Sequence, residues 1–250
     1  MLPGIHLQDN CWNIHLFGLE TVFMDRGDLL VLANPKEKDP PLSQRTPLIR
    51  RIIALPGELI EIKQRKISID SKLISSYNPS YTYRFNMEKA PEQAFMEEYS
   101  ISLIQETAIP FCYDAVIQEE LVDVLSADVR VSHCRILDDP SRFKDIIIYP
   151  FSMTNAWTLN DYGPYLVPAK GTTIELNSEN IERYKHLLVN YEGVKLETEN
   201  QQVIINGHRE KNYVFKNDYY FVLSDNRDFG SDSRTFGPVP ESLIRGLFLL

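Results

Sequence analysis

The chain has 250 residues, 43% of them hydrophobic, and 26 Lys and Arg against 35 Asp and Glu give it a formal charge of -9. That apolar content fills one large β domain or two smaller lobes and excludes a disordered chain. The acidic balance, without any lysine-rich run, argues against nucleic acid as a partner and against an electrostatic hold on anionic lipid.

Thirteen Tyr and twelve Phe, with many Ile and Val, favour strands over helices. In chain order, Arg26-Gly27-Asp28 reads as a turn feeding a strand over 29–33. Residues 34–48 hold four prolines and several charges and read as an exposed loop. Next come a strand over 49–55, a Pro56-Gly57 turn, and strands over 59–62 and 66–69. Residues 85–150 carry no motif, although Val116, Leu121 and Leu125 give 116–126 the stripe of a short helix. Strand-like runs return at 172–176. Asn177 or Ser178 then caps a helix to about Asn190, with Ile181, Tyr184, Leu187 and Leu188 on one face and Gly193 after its end. The last strands fall at 203–205, 213–215 and 219–223. Residues 61–71 are echoed at 197–207, and each copy reads as a hairpin.

Cys11, Cys112 and Cys134 match no zinc or Cys-x-x-Cys pattern, and free thiols are the default reading. One disulfide, Cys112 with Cys134, stays open if the chain works outside the cytosol. His6, His15, His133, His186 and His208 lack ligand spacing, so neither metal nor cofactor is expected. No run approaches the roughly 18 apolar residues that span a bilayer, and the start is too polar for a signal peptide.

The most chemically loaded stretch is 224–238, Ser-Asp-Asn-Arg-Asp-Phe-Gly-Ser-Asp-Ser-Arg-Thr-Phe-Gly-Pro. Asp225 and Asp232 can each accept from an arginine fork, Arg227 and Arg234 are always charged, and Asn226, Gly230 and Gly237 supply backbone freedom. Ser231 and Ser233 are expected to bond the local backbone. Three segments together, Gly27-Asp28 in its turn, Arg51 to Pro56-Gly57, and the 224–238 loop, resemble the conserved boxes of type I signal peptidases. These are membrane-anchored serine endopeptidases that remove signal peptides from exported proteins. Residues 157–164 and 167–171 resemble a segment carried by the longer members of that family.

In that family a serine is the nucleophile and a lysine the general base. Counting back from Gly27 puts the serine position at Leu19, and counting back from Pro56 puts the lysine position at Arg50. Leu19 has no nucleophilic atom. A buried lysine can lose its proton at working pH, whereas a guanidinium stays charged. The serine that orients the lysine falls at Gly230. Met1 to Gly4 and Ser152-Met153 are weaker matches to the serine box.

The resemblance implies a mainly β fold: an antiparallel core from 14–74 and 208–250, with an inserted smaller β-rich lobe over 75–207 and one or two helices. It implies binding of an extended or signal peptide, or of an active signal peptidase, without cleavage. It places the chain in the cell envelope, on the outer side of the inner membrane; a complete chain lacking any anchor would instead be cytoplasmic. Two alternatives stay open: an active signal peptidase whose dyad lies elsewhere or whose serine is outside this chain, and a structural β module that binds no peptide.

Overall fold

A computed structural model describes residues 14–16, 23–75, 77–101, 104–151, 156–199 and 202–248. The protein is mainly β, with several antiparallel sheets and few helices, as the sequence led us to expect. The described residues form two compact units, one from 14–16, 23–74, 147–224 and 231–248, the other from 75–146 and 225–230. Within 75–207, residues 75–146 cluster in the smaller unit and the described residues after Ile146 in the larger one.

The larger unit is built on a six-stranded sheet in the order Ile14–Leu16, Ile244–Phe248, Leu29–Ala33, Pro47–Ala54, Tyr219–Leu223, Val239–Pro240. Leu29–Ala33 and Tyr219–Leu223 are buried at every position. Their unbroken apolar sequences suit strands covered on both faces. Leu59–Lys63 and Lys66–Ile69 instead alternate between buried and open positions, as strands with one wet face should.

The internal echo is real in three dimensions. Leu59–Lys63, Lys66–Ile69 and Lys72–Leu73 form one meander, and Leu196–Glu199, Gln202–Ile205 and His208–Arg209 form another. In the first, Leu59 N donates to Asp70 Oδ1 at 3.0 Å while Asp70 N donates to Leu59 O at 2.9 Å. In the second, Lys195 N donates to Asn206 Oδ1 at 2.9 Å while Asn206 N donates to Lys195 O, also at 2.9 Å. Asp70-Ser71 and Asn206-Gly207 both take positive φ, as a two-residue hairpin turn of the primed type requires.

The Ser178–Asn190 helix forms as expected. Asn177 Oδ1 accepts the Asn180 amide, and Tyr184, Leu187 and Leu188 are buried. Just past its end, the buried Glu192 carboxylate accepts from Tyr213 Oη, Tyr219 Oη, Lys216 N and Asn217 Nδ2. Burial pushes Glu192 toward protonation, but the hydrogen bonds outweigh it and hold its pKa below the usual range.

In the smaller unit a sheet runs Val131–Ile136, Ser80–Met87, Cys112–Gln118, Ile104–Glu106. Its core gathers Tyr81, Tyr83, Phe85, Phe95, Tyr99 and Leu125. The helix expected over 116–126 is shorter. Val116 pairs with Thr82 inside the sheet, and only Val122–Ala127 is α-helical. Ala115, Val116 and Ile117 are all buried, and the cover a central strand receives on both faces hid its twofold period. The Gln93–Glu98 helix has no counterpart in the expectations. Cys112 and Cys134 lie on the two strands that flank Ser80–Met87, about 10 Å apart by strand spacing and beyond disulfide reach. Both are free thiols.

Candidate functional site

In the larger unit, the Gly27-Asp28 and Pro56-Gly57 turns are tied together through the Pro47–Ala54 strand. Gly27, at a φ of 99°, donates its amide to Ile52 O at 2.9 Å, and Asp28 O accepts the Ile52 amide at 2.9 Å. Arg51 Nη1 closes on Gly27 O at 2.7 Å. Asp28 Oδ2 accepts the Asp25 amide at 2.8 Å, fixing the turn from within. Gly57, at a φ of 88°, donates to Val167 O at 2.8 Å, so the 167–171 segment backs the second turn. Sequence reasoning missed the bridge between the turns. Arg26 donates to Ile53 O and Glu58 Oε1, both at 2.6 Å, while Glu58 Oε2 accepts the Leu55 amide at 2.6 Å. Two opposite charges, each beside a turn glycine, were the signal available.

Arg50 pairs with Leu30 across the sheet. Its Nε donates to Ser231 O and its Nη1 to Ile49 O, each at 2.6 Å. The Arg50 guanidinium therefore reaches the loop at the Ser231 carbonyl while also holding the Ile49 carbonyl of its own strand. Leu19, the rest of 17–22, residues 1–4 and Ser152-Met153 lie outside the described residues.

From Ser231 onward the loop belongs to the larger unit and is held by its own charges. Asp232 is fully buried, and Arg234 is 2% exposed. Arg234 forks onto Asp232, Nε to Oδ1 at 3.0 Å and Nη2 to Oδ2 at 2.7 Å, while its Nη1 donates to Leu159 O at 2.8 Å. The carboxylate also accepts the amides of Ser224 and Arg234, and so caps the short Ser233–Phe236 helix. Ser233 Oγ accepts the Val222 amide of the neighbouring strand at 2.9 Å, and Ser231 Oγ lies 3.1 Å from the side-chain oxygen Thr235 Oγ1, so neither is seen bonding the local backbone. Gly237 takes a φ of 86°, and a Cβ there would sit 2.8 Å from the Tyr149 ring. Of Asn226, Gly230 and Gly237, it is the one with a positive φ.

The Asp225–Gly230 half clusters with the smaller unit. Asp225 O accepts the Ser80 amide at 2.7 Å, and the Arg227 amide donates to Ser80 O at 3.0 Å, a short parallel bridge. Asn226 turns the chain, accepting the Phe229 amide on Oδ1 and the Gly230 amide on its carbonyl. Asp228, which was not singled out from the sequence, is buried and accepts the Thr82 amide at 2.9 Å, with Arg142 Nη1 at 3.5 Å. Arg142 also donates to Thr82 Oγ1 and stacks over the Phe229 ring.

Residues 8–132 and 164–249 match the model of the family described as Signal peptidase, peptidase S26. The chain belongs to the signal peptidase family. No curated protein matches it. The matched residues include the Gly27-Asp28 turn, the Arg50 strand, the Pro56-Gly57 turn and the whole 224–238 loop. In this signal peptidase relative the architecture around the boxes is formed: both turns are closed, and the Asp232 carboxylate is paired with Arg234. A guanidinium is unsuited to take a proton from a nucleophile, because it has no accessible neutral form.

Proposed function

We propose that this signal peptidase-like protein does not cleave through a Ser/Lys dyad at the family positions and instead binds an extended peptide. Arg50 carries the reading: at the lysine position stands a permanently charged group engaged with two carbonyls. The Pro47–Ala54 strand is paired with Leu29–Ala33 from Pro47 to Arg51, but with Tyr219–Leu223 only from Arg51 onward. Residues 47–50 thus have no strand partner on that side among the described residues. An extended peptide can add there through backbone hydrogen bonds, which require neither a nucleophile nor a base.

The ligand class is a signal peptide, or a segment of an active signal peptidase. Family membership favours work beside membrane-associated export machinery. No helix among the described residues is long and apolar enough to cross a membrane.

The test offers the full chain a fluorescent signal peptide with small residues at its cleavage site and follows binding and cleavage separately. Binding without cleavage supports the proposal. Cleavage, with a covalent serine probe labelling one residue, would establish an active peptidase instead. Absence of both would leave a structural β module.

A further inference from the structure

The Ile52 amide donates to Asp28 O, and Arg50 is paired with Leu30. Backbone groups alternate in direction along a strand, so Arg50 and Ile52 point theirs at Leu29–Ala33, while Ile49 and Arg51 point theirs to the opposite side. On that side the Tyr219–Leu223 strand stops at Leu223, opposite Arg51. The Ile49 carbonyl is therefore the first acceptor past the end of that strand, where an added peptide would begin its ladder. Arg50 Nη1 already holds it at 2.6 Å, while Nε of the same guanidinium holds Ser231 O.

We propose that Arg50 is a clasp on this edge, competing with a docking peptide for the Ile49 carbonyl and coupling the opening of the edge to release of the turn that begins at Ser231. This rests on the peptide-binding reading above. The fork makes the clasp possible, because two separate nitrogens of one rigid plane serve two carbonyls at once, whereas a lysine offers one compact amine. Arg50 is then a positioning residue. Its replacement for lysine both removes a base and sets how readily the edge accepts a strand.

Arg50→Met removes the donors and keeps an apolar stem, and Arg50→Lys keeps charge without the fork. Two quantities are measured on the full chain: affinity for the fluorescent small-residue peptide, and hydrogen exchange of the Thr235, Phe236 and Gly237 amides, which donate to Asp232 O and Ser233 O. Loss of one charged hydrogen bond that competes with the ligand should tighten binding about tenfold in Arg50→Met, with a smaller gain in Arg50→Lys. Exchange at the three amides should accelerate in the same order. If wild type binds and Arg50→Met binds no tighter, the competition is overturned while peptide binding stands. Unchanged exchange overturns the clasp whatever the peptide does. Faster exchange with no binding by any of the three proteins overturns the peptide-binding reading and the competition with it. Should Arg50→Met fail to fold, Arg50→Lys decides the same points.

Discussion

The two halves of the 224–238 loop have matching sequences, Asp-Asn-Arg and Asp-Ser-Arg, yet they are anchored in different ways. The second half holds itself: Asp232 and Arg234, two residues apart and both buried, make a bidentate pair that also caps a helical turn. The first half is also anchored on a neighbouring strand, by Ser80 on the backbone of Asp225 and Arg227, and by Thr82 and Arg142 on Asp228. Two like patterns of charge meet different strands, Tyr219–Leu223 and its end for the second half and Ser80–Met87 for the first.

The largest expected effect is Asp232→Asn, which strands the buried Arg234 charge and should cost about 4 kcal/mol in denaturant unfolding. A loss no greater than that of a surface carboxylate would show that the second half is not self-held. Gly237→Ala comes next. It forces a Cβ into the Tyr149 ring at a positive φ, for about 3 kcal/mol measured the same way. Asp228→Asn should be milder, about 2 kcal/mol, because an amide oxygen still accepts the Thr82 amide and Arg142 keeps its bond to Thr82 Oγ1. If Asp228→Asn proves as damaging as Asp232→Asn, the contrast between the halves fails.

A pH titration supplies a control outside the loop. Burial, with a smaller push from Lys38, lowers the pKa of His186 from 6.5 to about 4. Its neutral form stabilises the fold fully above pH 6.5, and that stability is lost as pH falls toward 4, because the unfolded chain takes the proton first. Partial exposure limits the loss to about 2 kcal/mol. The difference between wild type and His186→Gln across this window measures it, and the loop variants should leave it unchanged. The smallest effect is at Tyr162, whose buried hydroxyl has no hydrogen-bond partner among the described residues. Tyr162→Phe should raise stability by about 1 kcal/mol in the same unfolding experiment. A loss there would mean that the hydroxyl is satisfied by a buried water.

The site was legible in the sequence where it is local. The Gly27 and Gly57 turns announced themselves by their turn residues, the Asp232-Arg234 pair by its spacing, and the Asn177 cap and the two echoed hairpins by short-range pattern. The links formed by distant residues were not legible. Arg26 and Glu58 are 32 positions apart and join only because the Pro47–Ala54 strand brings their turns together. Asp228 and Arg142 are 86 positions apart and meet only once the Ser80–Met87 strand has formed between the segments that carry them.

The sequence alone determined the family and the mainly β class, since residue types and local periods are properties of the chain itself. Only the tertiary structure decided what Arg50 does. Strand register aims the Ile49 carbonyl away from Leu29–Ala33, and the fold brings Ser231, 181 positions along the chain, within 2.6 Å of the guanidinium. Hydrogen bonds at that range depend on the path of the backbone in space, which no spacing along the chain encodes.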